Sequence, residues 1–93
     1  MKQSIACADH YEAQKLASLI YVKDDKEIFI NGILDIIENE IVISLKDKSA
    51  HSVLLQDRGQ ADIFADFIQS VIDNVDTITE TKVVENIIDI TKE

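Results

Sequence analysis

Residues 29–45 read FINGILDIIENEIVISL. Ten of these seventeen residues are Ile, Leu, Val or Phe, and Asn31-Gly32 sits near the start. Asn-Gly between apolar runs is the strongest short hairpin signal. Alternation argues against a turn there. As one strand, the even positions Ile28, Ile30, Gly32, Leu34 and Ile36 are all apolar or glycine. As a hairpin, Ile28 would face Asp35 across arms of about four or five residues, which are marginal alone. The period therefore predicts one continuous strand, with Gly32 at a bulge or bend inside it. The turn moves to Glu38-Asn39-Glu40.

Working outward, residues 41–46 form the next predicted strand, with Ile41, Ile43 and Leu45 on one side. After the polar turn Lys46–Ser49, residues 51–56 form another, with Val53 and Leu55 inward. Upstream, Asp9 and Glu12 resemble a capping box, and Ala13, Leu16, Ala17 and Ile20 recur at helical spacing. Residues 2–7 allow a short strand ahead of that helix. The period changes between Leu19 and Val22, and Asp24-Asp25-Lys26 is a turn by composition. Downstream, Asp57 is a candidate N-cap for a long helix. Its apolar stripe is Ile63, Phe64, Phe67, Ile68, Val71, Ile72 and Val75. Thr77 and Glu80 suggest one more cap, and Val83, Val84, Ile87 and Ile88 fit a helix over 79–91, although their β-branched content suits a strand as well. The expected fold is α+β: an N-terminal helix, a bent antiparallel meander of three to four strands, and two C-terminal amphipathic helices. The long helix would cover one face of the meander.

At 93 residues the chain fits a single small domain, residues 1–93, with one core. It has no proline and two glycines, and neither a low-complexity tract nor an internal repeat is expected. A lone cysteine, Cys7, and the absence of a signal peptide point to a cytoplasmic protein. No apolar run reaches the roughly 18 residues that a membrane span needs. Eighteen acids against nine bases give a net charge of −9, and residues 58–93 are the more acidic part. That field repels phosphate backbones and anionic membranes, and it attracts basic surfaces. Direct nucleic-acid binding is further disfavoured by two tyrosines and no tryptophan. A small β-barrel reader of nucleic acid, which the bent meander would suit, is opposed by the same charge.

Catalytic constellations are not visible. His51 and Ser52 are adjacent, so a strand would aim them at opposite faces. Cys7 and His10 would share a helix face, but zinc needs more ligands than that; no metal or cofactor is expected. Asp24 and Asp25 are followed by no calcium-loop spacing. Arg58, the only arginine, suits a local ion pair with Asp57 or Asp62.

The carboxylates carry more information. Asp62, Asp66, Gln69, Asp73 and Asp76 fall at spacings that form one stripe on the long helix, opposite its apolar side. Glu85, Asp89 and Glu93 repeat a spacing of four in the last helix. Rows of carboxylates about 6 Å apart approximate phosphates along a strand. The expected function is a non-enzymatic acidic module that binds a protein with a basic surface, in the manner of an inhibitor or DNA-mimic decoy. Its partner-binding residues would be Asp62, Asp66, Asp73, Asp76, Glu85 and Asp89. Phage-encoded inhibitors include small acidic proteins of this kind, a likeness of class and not of sequence. The alternative is an assembly module, a homodimer through Val83, Val84, Ile87 and Ile88, whose helix would have no partner in so small a core.

Overall fold

The computed structural model describes residues 1–20 and 28–93. The predicted turn at Asp24-Asp25-Lys26 and the change of period before it lie outside the described residues. The elements run β1 (Lys2–Ala6), α1 (His10–Ile20), β2 (Ile30–Ile37), β3 (Glu40–Leu45), β4 (Ala50–Leu54), α2 (Arg58–Asn74), β5 (Ile78–Val84) and β6 (Ile87–Lys92). The expected architecture is therefore corrected at both ends. The chain opens on a strand, and the last segment is a hairpin, leaving α2 as the one C-terminal helix. The order strand, helix, strand, strand also occurs twice, a repetition that composition alone conceals.

The strands form two antiparallel three-stranded sheets, ordered β2-β3-β4 and β1-β6-β5. In the first, β2 runs straight through Gly32, as alternation predicts. Its pairing with β3 slips twice, between Ile30 and Gly32 and between Ile33 and Asp35. These bulges change which side chains face inward. Ile30 is buried and Ile33 and Ile36 pack on the core, while Leu34 is turned out at 62% exposure. The expected inward set had included Leu34; the first slip reverses the alternation, turning Ile33 in and Leu34 out, and the second brings Ile36 in. Gly32 needs no glycine-only conformation, and a methyl group there would meet nothing within 4 Å.

In the second sheet, β6 lies between strands from opposite ends of the chain. Ile88 is opposite both Ile5 and Val83, and Ile90 opposite Gln3 and Thr81. Val83, Val84, Ile87 and Ile88 flank the two-residue turn Glu85-Asn86. The expectation of a helix fails here because pairs of apolar residues separated by two polar ones satisfy a helical stripe and a tight hairpin equally. Only the approach of β1 decides between them.

Both helices are capped by aspartate. Asp9 Oδ1 accepts from the Glu12 amide at 2.8 Å, and Asp57 Oδ1 accepts from the Gln60 amide at 2.9 Å. Helix α1 packs on β5 and β6, and α2 on β2, β3 and β1. The core is one cluster, with Ile5, Leu16, Ile20, Ile41, Val53, Phe64, Ile68, Val71, Ile88 and Ile90 all fully buried. Two members of the expected α2 stripe lie outside it: Ile63 is 41% exposed and Val75 84%.

Val75 ends α2 in a left-handed conformation, φ 54° and ψ 42°. Its amide donates to Ile72 O at 3.3 Å, and the Asp76 amide donates to Val71 O at 2.9 Å. This is a Schellman ending, whose left-handed position is ordinarily glycine. A β-branched residue is strained there, at a cost of about 1–2 kcal/mol. Val75→Gly is expected to stabilise the fold by about 1 kcal/mol, since almost no packing is lost at so exposed a site. Urea denaturation followed by circular dichroism measures it; a lower midpoint would contradict the strain argument.

The two sheets meet where Cys7 bridges Leu55. Ala8 N donates to Leu54 O and Gln56 N to Ala6 O, each at 3.0 Å. The two hairpin turns close on this junction. Asn39 donates side-chain Nδ2 to Leu55 O at 2.9 Å, and its backbone carbonyl accepts the Leu55 amide at 2.8 Å. Asn86 donates side-chain Nδ2 to Cys7 O at 3.0 Å, and its backbone carbonyl accepts the Cys7 amide at 2.7 Å. Cys7 and Leu55 are fully buried, so water does not replace a lost donor. Asn39→Ala and Asn86→Ala are each expected to cost about 1–3 kcal/mol in urea denaturation. Values near zero would show that the turns do not anchor the sheets.

Candidate functional site

The six carboxylates expected to bind a partner fall in different places. Asp62, Asp66 and Asp73 lie exposed on the outer face of α2. At 3.6 residues per turn they fall within an arc of about 40° along about 16 Å of helix. Arg58 Nε meets Asp62 at 3.1 Å, the local ion pair expected of the only arginine. Gln69 Nε2 donates to Asp73 at 2.9 Å. Asp66 makes no hydrogen bond or ion pair among the described residues. Exposed Ile63 borders this row, giving the face an apolar edge.

Asp76 does not join the row. It follows the helix end and accepts from Lys92 Nζ at 2.8 Å, with both side chains largely buried and the ammonium 5.5 Å from the Phe67 ring centre. Its charge is spent on holding β6 against the end of α2. Glu85 occupies a left-handed turn position, φ 55°, and its carbonyl lies 2.7 Å from His10 Nδ1. Asp89 lies on β6 among Ser4, Lys2 and Lys82, and the Ser4 hydroxyl, then the lysines, hold its carboxyl below the usual range. The stripe expected over 85–93 thus has no helix to lie on.

The hydrophobic set proposed for an oligomer interface is likewise divided. Ile88 is fully buried and Val83 packs against the core. Val84 is 54% exposed and Ile87 partly so, on the outer face of their sheet.

Other chemistry is limited by geometry. Cys7 sits in the bridge between the sheets instead of on a helix face with His10. Burial, aided by Glu12 and Asp9, pushes its thiol up to about 12, so it stays protonated at neutral pH. Among the described residues no group of three or more His, Cys, Asp or Glu could hold a metal ion.

One polar cluster escaped the sequence reading. Ser49 Oγ lies 2.5 Å from Asp47 Oδ1 and 3.0 Å from His51 Nε2. For Ser49 and His51 the signal was available, because residues two apart on an extended segment share a face; Asp47 joins them through the turn, where Lys48 is left-handed at φ 72°. The order of contacts is wrong for a nucleophile. The hydroxyl proton goes to the Asp47 carboxylate, and among the described residues no carboxylate orients the imidazole as base. Ser49 holds Asp47 below the usual carboxylate range, and the cluster closes the β3–β4 turn.

Helix α1 supplies an internal control for the acidic row. It too begins at an aspartate cap and buries Ala13, Leu16, Leu19 and Ile20, as α2 buries Ala61, Phe64, Phe67 and Ile68. Where α2 carries Asp62 and Asp66, α1 carries Gln14 and Ser18, both exposed. No protein-family model, no curated protein and no solved structure matches the chain. No helix among the described residues is long and apolar enough to cross a membrane.

Proposed function

We propose that this protein is a non-enzymatic binding module whose α2 face, Asp62, Asp66 and Asp73 with Ile63 at its edge, engages the basic surface of a partner protein. The comparison with α1 carries the reading. A helix of the same phase, capped in the same way, does without acids at the positions of Asp62 and Asp66. The fold therefore does not require them, and like charges one turn apart cost a few tenths of a kcal/mol per pair. The carboxylate spacing suits a groove that ordinarily accepts phosphates, so the partner of choice is a nucleic-acid-binding protein whose site this face would occupy.

The triple variant Asp62→Asn, Asp66→Asn, Asp73→Asn tests the proposal. It should fold like the parent, because all three side chains are exposed. A partner captured by the parent from its source cell should bind the variant more weakly by tenfold or more, about 1.4 kcal/mol, with a shallower dependence on salt. Unchanged affinity would remove the proposal.

A further inference from the structure

Strands β6 and β1 are neighbours in their sheet, as β3 and β4 are in theirs. Strands β2-β3-β4 followed by α2 form one meander with its covering helix, in sequence order. Strands β5-β6-β1 followed by α1 form the same object, interrupted by the chain ends between β6 and β1. We infer that the protein is two copies of one three-stranded meander plus helix, joined in a circle and opened in a turn. The contact between the copies is a dimer interface held inside one chain.

The correspondence extends to single atoms. Asp9 and Asp57 cap their helices through the same oxygen to the amide three residues on. Glu12 Oε2 reaches Leu54 N at 3.3 Å, and its counterpart Gln60 Oε1 reaches Ala6 N at 2.8 Å. Asn39 and Asn86 hold Leu55 and Cys7 by the same pair of bonds, and those two residues face each other in the bridge. Glu38 and Glu85 both take left-handed φ, at 58° and 55°. The registers match as well. The slip between Ile30 and Gly32 in β2 recurs between Ile78 and Glu80 in β5. Ile36-Ile37-Glu38-Asn39 then corresponds to Val83-Val84-Glu85-Asn86. One residue in these hairpins has no counterpart: Leu34, at the second slip of β2, turned out to water.

The cut is equally specific. In the closed turn, Leu45 N donates to Ser49 O at 2.9 Å; in the open one, Lys92 N donates to Met1 O at 2.8 Å. The Met1 amino group also donates to Lys92 O at 2.9 Å. The ends are thus already held in the geometry of the missing turn. Lys46, Asp47 and Lys48 span the closed turn; Glu93 and two added residues would span the open one.

Two variants test this. The first is a circular permutant that joins Glu93 to Met1 through an inserted Asn-Gly and opens between Asp47 and Lys48. It should give the parent's circular dichroism spectrum and oligomeric state, with a melting temperature within about 10 °C. The second deletes Leu34 from the natural chain. Deleting one residue from a strand ordinarily moves every later side chain to the other face. Here it should instead bring β2 into the register of β5 and leave the fold intact. Deletion of Lys82, the control in β5, should unfold the protein. An unfolded permutant overturns the inference, and so does a Leu34 deletion as damaging as that of Lys82. Neither readout involves the acidic face of α2.

Discussion

Ile88→Asp is expected to leave the chain unfolded, while Val84→Asp leaves it folded. Ile88 is fully buried between Ile5 and Val83 on the inner face of its sheet. Removing its side chain costs the apolar transfer and cavity terms, about 2–5 kcal/mol. Burying a carboxylate with no partner adds several more, or forces its protonation. A domain of this size is stable by only about 5–14 kcal/mol, so the sum approaches the whole. Val84, at 54% exposure on the outer face, faces only the weak strand propensity of aspartate, up to about 1 kcal/mol. Circular dichroism and urea denaturation of the two variants measure the contrast. On one amphipathic helix both substitutions would have struck the same stripe. Equal losses would therefore reject the hairpin.

Phe64→Ala is expected to cost about 3–5 kcal/mol, lowering the melting temperature by at least about 12 °C. Phe64 heads the fully buried side chains by volume and sits where α2 meets the sheets. Its ring leaves a cavity that the surrounding branched side chains fill only in part. The neighbouring Ile63→Ala should lie within about 1 kcal/mol of the parent, because Ile63 borders the solvent face. Thermal melts of both variants fix the phase of α2. A large loss at Ile63 would mean that the helix is rotated, and would turn the acidic row away from solvent.

Much of the site was readable one residue at a time. The cap at Asp57, the phase of Phe64, Phe67, Ile68 and Val71, and the row Asp62, Asp66, Asp73 depend on neighbours within one or two helical turns. Asp76 was misplaced because the helix ends at Asn74 on a valine instead of the expected glycine signal. Glu85 and Asp89 fall off the row because the segment beneath them is a hairpin, although its spacing fits a helix equally. A signal for that segment lay in the chain. Ile36-Ile37-Glu38-Asn39 was read as a strand entering a turn, and Val83-Val84-Glu85-Asn86 repeats its pattern. The likeness of the two segments is itself a hairpin signal for the second.

The sequence by itself determined helices α1 and α2, their aspartate caps, the turn at Glu38-Asn39 and the buried faces Leu16, Ile20, Phe64, Phe67, Ile68 and Val71. Each is set by local sterics, hydrogen bonding within a turn, or periodicity. Tertiary structure decided that Val83–Ile90 is a hairpin, that β1 exists as a strand, and that Leu34 faces water. The first two depend on partners from the far end of the chain, Ile5 beside Ile88 and Gln3 beside Ile90, and the third on the register of β2 against β3. β-branched residues suit either a packed helix or a pleated sheet, and the free energy that separates the two is supplied by the neighbouring strand.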